Sequence, residues 1–148
     1  MRSILILFCF ALMSTDCDSK KSLAAKQQKE NSIIFIYKQY TRGFYREYHF
    51  QENGIKIYSK YGADDFEEMD IIPIQWTVSL NLLNDIDLVT INQLEPPSSL
   101  RHTDRVHHAE LSIVINGNTF RSSNFDHQNQ PKAIKLLVDH LVQMVRKD

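Results

Sequence analysis

Residues 109–121 read Ala-Glu-Leu-Ser-Ile-Val-Ile-Asn-Gly-Asn-Thr-Phe-Arg. An alternating run leads into an Asn-Gly dipeptide, which is the strongest short-range signal for a tight β-hairpin. A two-residue loop at Asn116-Gly117 predicts that Ile113 pairs with Phe120 and that Glu110 lies diagonal to Arg121. This stretch therefore predicts an antiparallel hairpin whose apolar face is formed by Ala109, Leu111, Ile113 and Ile115.

A second Asn-Gly dipeptide, Asn53-Gly54, predicts another hairpin earlier in the chain. The same loop length pairs Phe50 with Ile57 and Glu47 with Lys60. One face of this hairpin is then aromatic and aliphatic, consisting of Tyr48, Phe50, Ile55 and Ile57.

The segment before this hairpin is predicted to be a further strand. Residues 32–40 are expected to turn at Arg42-Gly43 and to pair with residues 44–51. This register places Phe35 beside Phe50 and Lys38 beside Glu47.

Two later segments show apolar residues at helical spacing. Residues 131–147 predict a C-terminal helix that begins near Pro131, and residues 73–84 predict a shorter central helix that carries Trp76. Together, the hairpins and helices predict an α+β fold. Its largely antiparallel sheet has five or six strands and packs both helices on one face.

The N-terminal residues have the layout of an export signal. Arg2 precedes ten mostly apolar residues, 4–13, which at about 1.5 Å rise cover only about half of a ~30 Å hydrocarbon core. Cys17 follows closely, which resembles a bacterial lipoprotein signal, in which the cysteine is acylated and becomes the first mature residue. Ser14 and Asp16 stand where that pattern has Leu and a small residue, so an ordinary secretory signal with an incidental cysteine is the alternative.

Residues 18–31 are interpreted as a flexible tether. They contain one large apolar residue, Leu23, and no aromatic residue, so they cannot bury enough surface to order themselves. A flexible coil of this length reaches about 20 Å. The chain is thus divided into a signal segment (1–17), a tether (18–31) and a single α+β domain (32–148).

Composition argues against several classes of function. The chain has 17 basic and 18 acidic residues and no basic run, so nucleic-acid binding lacks its electrostatic driving force. With four glycines it has no phosphate-binding glycine loop. It also has no Gly-x-Ser-x-Gly and no cysteine after Cys17, so no nucleophile is evident. We therefore expect a protein that is not an enzyme and needs no cofactor.

Two loops are expected at the same end of the second hairpin, and they carry metal-ligating residue types. Zinc is bound by histidine and carboxylate side chains, and the candidates are His107, His108, Glu110, Asp126 and His127. Because His107 and His108 are adjacent on an extended segment, they point to opposite sides, and at most one reaches a given ion. The structural alternative makes Asp126 a turn or cap residue and leaves the histidines on the surface.

Aromatic residues on the outward face of the first sheet strands are candidates for partner binding. Tyr45, His49 and Tyr58 share that face in the predicted register. Aromatic side chains are enriched at protein interfaces. The alternative is that another segment of the chain covers them.

Three short motifs support a resemblance to a known family. They are the run from Trp76 to Leu83, the segment Leu94-Glu95-Pro96-Pro97-Ser98, and Phe125-Asp126-His127 before a Pro and a Leu/Val-rich helix. This pattern resembles an uncharacterised family of small lipoproteins from the Bacteroidota over residues 44–145. Where that family has Phe-Asp-His-Gly-Asn-Pro-Pro, this chain has Gln128 and Gln130 in place of the glycine and the first proline. The resemblance implies export and one α+β domain, and it implies no activity.

Together these patterns predict a lipoprotein of the bacterial cell envelope. Its membrane anchor is Cys17, it lies on the periplasmic or outer face, and its domain binds another protein or an envelope component. Without acylation it would be periplasmic or secreted. The two alternatives are a metal-assisted hydrolase that uses the loop histidines and carboxylates, and an inhibitor or immunity-type protein.

Overall fold

A computed structural model of the chain describes residues 32–103 and 106–146. Cys17, the predicted signal segment and the predicted tether lie outside the described residues. The described part has the predicted α+β fold, built from one antiparallel sheet and two α-helices.

The sheet has seven strands, in the spatial order β4-β3-β2-β1-β5-β6, with β7 pairing to β5. Their bounds are β1 Ile33–Thr41, β2 Phe44–Gln51, β3 Gly54–Tyr58, β4 Glu67–Met69, β5 His108–Ile115, β6 Asn118–Arg121 and β7 Phe125–Asp126. The α-helices are α1 (Pro73–Leu83) and α2 (Lys135–Met144), and short 3₁₀ helices span Ile91–Gln93, Leu100–Thr103 and Lys132–Ile134. The two-residue strand β7 accounts for the strand beyond the predicted five or six.

The hairpin β5–β6 has the predicted register, with Ile113 opposite Phe120. Its loop needs positive φ at both central residues, and Asn116 (φ 52°) and Gly117 (φ 84°) supply it. The pairing of β1 with β2 is also confirmed, because Phe35 lies opposite Phe50 and Lys38 opposite Glu47.

The predicted register of the β2–β3 hairpin is wrong by two residues. Phe50 pairs with Ile55 and Glu47 with Tyr58, whereas the prediction paired them with Ile57 and Lys60. The turn lies one residue earlier than the Asn-Gly rule suggests, because Gly54 is the first residue of β3 (φ 150°) and passes close to β4. A Cβ at Gly54 would lie 3.2 Å from the carbonyl oxygen of Met69. A shift of two residues keeps each side chain on its predicted face.

The hydrophobic core lies between one face of the sheet, called here the inner face, and both α-helices. The ring of Trp76 in α1 meets that of Phe35 edge-on, with ring centroids 5.5 Å apart. His140 of α2 contacts the carbonyl oxygen of Gln75 in α1 through Nε2 at 3.0 Å. The buried apolar residues include Phe35, Tyr37, Phe50, Ile55, Leu111, Ile113, Phe125, Ile134, Leu137, Val138 and Leu141. Both helices therefore pack on one face, as predicted.

The C-terminal helix is shorter than the predicted span of 131–147. Pro131 has extended backbone (ψ 139°), and the first turn, Lys132–Ile134, is a 3₁₀ helix. The α-helix ends at Met144, after which Val145 leaves the helical region (ψ 2°). In the part of the chain that the structure describes, no helix has the length and apolar character needed to cross a membrane.

Candidate functional site

The opposite, outer face of the sheet carries a cluster centred on Glu47. Alternate residues of a strand point to the same side, so Tyr45, Glu47 and His49 of β2 share this face. Tyr45 donates its hydroxyl hydrogen to one carboxylate oxygen, and Nε2 of His49 lies 2.6 Å from the other. From β1, Nζ of Lys38 lies 3.6 Å from the carboxylate.

Aromatic rings lie next to this carboxylate. Tyr58 lies opposite Glu47 in the β2–β3 register, and its ring centroid is 4.8 Å from that of His49. Tyr58 also contacts Phe66, at 5.5 Å between centroids. The three predicted partner-binding residues thus meet in one place, which we call the outer-face cluster: Lys38, Tyr45, Glu47, His49 and Tyr58.

The protonation states of the cluster follow from its contacts. The hydrogen bond with His49, helped by Tyr45 and Lys38, lowers the pKa of Glu47 to about 2 although partial burial opposes the shift. Burial, followed by the bond to Glu47, raises the pKa of the Tyr45 phenol. At neutral pH Glu47 is therefore a carboxylate held by neighbouring donors, with 19% of its side chain exposed.

A row of alternating charges extends the cluster across the sheet. Lys38 lies between Glu47 and Glu110, with its Nζ 4.0 Å from Oε1 of Glu110. On the far side of Glu110, Nε of Arg121 lies 3.3 Å from the same oxygen. The predicted proximity of Glu110 and Arg121 is confirmed. The row thus reads acid, base, acid, base across four strands.

Asp126 is buried at the edge of the sheet and holds a distant loop. Its Oδ2 accepts hydrogen bonds from the hydroxyl of Ser98 (2.5 Å) and the backbone N–H of Leu100 (2.9 Å). Its Oδ1 accepts from the backbone N–H and from Nη1 of Arg101, both at 3.0 Å. Burial alone would raise the pKa of Asp126, but these hydrogen bonds outweigh it and the pKa falls to about 2. Asp126 is therefore a cap residue, as in the structural alternative. The element that it caps is the 3₁₀ helix beginning at Leu100.

The predicted metal ligands lie apart or have other partners. His107 stacks on Phe44 and His108 on Tyr40, with ring centroids 4.3 and 5.1 Å apart, on opposite sides as predicted. Asp126 is bound by Arg101, and Glu110 by the charged row. Within residues 32–103 and 106–146, no three His, Cys, Asp or Glu side chains are placed to share a metal ion.

His127 lies on the inner side, where it meets Tyr37. The Tyr37 hydroxyl is 2.6 Å from Nδ1 of His127. Burial raises the pKa of Tyr37, whereas burial and the nearby His107 lower the pKa of His127. Both groups are therefore neutral at neutral pH, and one hydrogen bond between the Tyr37 hydroxyl and Nδ1 holds the imidazole ring in place.

An open cleft of about 340 Å³ lies beside this pair, between the inner face of the sheet and the end of α2. We call it the inner cleft. It is lined by Tyr37, Gln39, Tyr48, His127, Gln128, Gln130, Asp139, Val142, Val145 and Arg146.

Sequence reasoning did not identify Glu47 as the centre of the outer-face cluster, and it did not detect the contact between Tyr37 and His127. Glu47 was detectable, because it lies between Tyr45 and His49 in a strand and must share their face. The Tyr37–His127 contact joins residues 90 apart in the chain, and no local pattern signals it. No family model matches the chain, and a search of curated proteins finds no match either. Function is therefore argued from the sites themselves.

Proposed function

We propose that this protein is a non-enzymatic lipoprotein of the bacterial cell envelope, and that its domain binds another protein through the outer-face cluster. One observation carries the proposal. An ionised Glu47, held by three side chains and flanked by tyrosines, lies on the sheet face opposite to both α-helices of the described residues.

The chemistry of the cluster suits a protein partner. Tyrosine combines a large apolar ring with a polar hydroxyl, and for this reason it is enriched at interfaces and among their strongest contacts. The bonds to Glu47 hold Tyr45 and His49 in place before binding. Less side-chain entropy is then lost on association.

The row of alternating charges would contribute selectivity. A partner with the opposite order of charges would neutralise Glu47, Lys38, Glu110 and Arg121 together, and a partner with the same order would be repelled. An aromatic patch without these charges would bind partners with less selectivity. We expect complex formation to slow as salt concentration rises, because screening weakens the attraction between exposed charges.

The envelope location rests on the sequence features of residues 1–31. Its test is the intact mass of the mature protein from the membrane fraction, wild type beside Cys17→Ala. We expect a mass for an acylated chain that begins at Cys17, lost in the variant. An unmodified mass in the soluble fraction for both proteins would contradict the anchor and leave a periplasmic or secreted binding protein.

The binding role is tested by cross-linking and capture from envelope extracts, using the wild type, Glu47→Lys and the control Glu95→Lys. Glu95 is exposed and lies outside the cluster, so the two variants carry the same change of charge. We expect one partner to be recovered with the wild type and the control, and to be lost with Glu47→Lys. A partner that Glu47→Lys still captures in full, or none in any sample, would contradict the proposal.

An inhibitory role is a special case of this proposal and has its own readout. If the captured partner is a hydrolase or toxin, its activity should fall on addition of the wild type and stay unchanged with Glu47→Lys. A partner whose activity does not change would favour a purely structural complex.

A further inference from the structure

We propose that the inner cleft is a second binding site, for a small sugar acid, that is, a monosaccharide that carries a carboxylate. The site lies on the inner side of the sheet and shares no residue with the outer-face cluster. The proposal therefore does not depend on the proposed protein partner.

The size and shape of the cleft suit a small molecule. Its volume of about 340 Å³ falls in the range of about 300–1,000 Å³ that is typical of ligand sites. Tyr37, Gln39 and Tyr48 come from β1 and β2, residues 127–130 form one side, and the end of α2 forms the other. Three separate parts of the chain thus converge on one cleft.

The charges of the cleft favour an anion. Its acidic residue, Asp139, already accepts hydrogen bonds from the Gln130 amide and from Nζ of Lys135, the latter at 2.7 Å. Arg146, in contrast, forms no ion pair with a carboxylate of the described residues. A guanidinium offers two parallel N–H donors that match a carboxylate. The cleft therefore has an available cation, and its one acid is already ion-paired with Lys135.

The neutral groups of the cleft favour hydroxyls on the same ligand. Side-chain amides and phenols both donate and accept hydrogen bonds, as sugar hydroxyls do. Gln39 and Tyr48 are joined only by a long hydrogen bond of 3.3 Å, which leaves both able to bind a ligand. Gln128 and His127 add groups from the opposite side, and the hydrogen bond with Tyr37 holds the His127 ring in place.

The direct test is titration calorimetry of the full chain at neutral pH with D-glucuronate, D-glucose and inorganic phosphate. Glucose is the matched control, because it differs from glucuronate only in having an alcohol in place of the carboxylate. We expect saturable binding of glucuronate, with glucose and phosphate each about tenfold weaker or more. Absence of glucuronate binding, equal binding of glucose, or equal binding of phosphate would each overturn the proposal.

Two arginine variants assign the binding to this cleft. Arg146→Gln should weaken glucuronate binding by about tenfold to a hundredfold, the usual effect of removing a hydrogen bond to a charged group. Arg121→Gln makes the same change on the outer face and should leave the affinity unchanged. Equal affinities of the two variants would overturn the assignment. Both arginines are exposed, so neither substitution is expected to disturb folding.

An NMR measurement provides an independent readout on the side of the cleft that residues 127–130 form. Addition of glucuronate should shift the ring resonances of His127, while those of His49 in the outer-face cluster stay in place. A shift at His49 with none at His127 would locate the ligand on the wrong side of the sheet and overturn the proposal.

Discussion

Asp126 and Glu47 are two carboxylates with similar pKa values of about 2 and different surroundings. Asp126 is bound by a hydroxyl, a guanidinium and two backbone N–H groups, and 2% of its side chain is exposed. Glu47 is bound only by side chains, and 19% of its own side chain is exposed.

The difference indicates which carboxylate maintains the fold and which is available for binding. The partners of Asp126 lie 25 to 28 residues away, so it fixes a distant loop against β7. The partners of Glu47 come from two paired strands whose backbone is already held by the sheet. Glu47 can be substituted without loosening any segment of the chain. Water can then replace part of the hydrogen bonding that its neighbours lose.

The largest expected effect comes from Asp126→Asn, compared with the matched Glu47→Gln. Asp126→Asn leaves the buried Arg101 unpaired, and breaking a buried ion pair by removing one partner lowers the free energy of unfolding by about 3–5 kcal/mol. For the half-buried Glu47 we expect a loss of about 1 kcal/mol, because the pair is partly solvated. Urea unfolding of both variants measures the difference. Equal losses would show that the comparison is wrong.

The second-largest expected effect is on the pH dependence of stability, to which both carboxylates contribute. Each has a folded-state pKa below its ordinary value, so its stabilising effect is complete above about pH 4 to 5 and is lost as the pH falls towards 2. For Asp126 this loss amounts to about 2 kcal/mol. We expect Asp126→Asn to flatten the acid limb of the stability curve.

Salt distinguishes the acid dependence of stability that remains in Asp126→Asn from that which remains in Glu47→Gln. In Asp126→Asn the acid dependence of stability that remains between about pH 5 and 2 comes from Glu47. It should shrink in 1 M NaCl, where the screening length is about 3 Å. In Glu47→Gln it comes from the buried Asp126 and should persist. Equal sensitivity to salt would contradict the difference in exposure.

The smallest expected effects come from removing one hydroxyl from each carboxylate. Ser98→Ala removes a donor from the buried Asp126 and should lower the free energy of unfolding by about 1–2 kcal/mol. Tyr45→Phe removes a donor from Glu47, where water can substitute, and should cost less than about 0.5 kcal/mol. The midpoints of urea unfolding give both values. A larger loss for Tyr45→Phe would reverse the assignment of roles.

The two hairpins show how far local sequence rules reach. At Asn116-Gly117 both residues take positive φ, and the predicted register is correct. At Asn53-Gly54 the register predicted from the same dipeptide is wrong. The glycine is required here because the chain passes close to the carbonyl oxygen of Met69. That constraint comes from β4, fifteen residues further along the chain, and a two-residue motif contains no trace of it.

The same limit of local sequence rules separates the sites that could be predicted from those that could not. The outer-face cluster could be predicted in large part, because strand alternation places Tyr45 and His49 together whatever the rest of the fold does. The partners of Asp126 and the inner cleft could not, since Ser98 and Tyr37 reach their partners only through the tertiary fold. The sequence showed their residue types and left their neighbours unknown.

The lengths of the strands have a consequence for aggregation. The three central strands, β2, β1 and β5, have eight, nine and eight residues, whereas the edge strands β4 and β6 have three and four. β4 also carries two charges, Glu67 and Glu68. Short and charged edges offer few free backbone groups for another chain to extend the sheet. A domain built in this way can be concentrated on a surface with little tendency to form intermolecular β-structure.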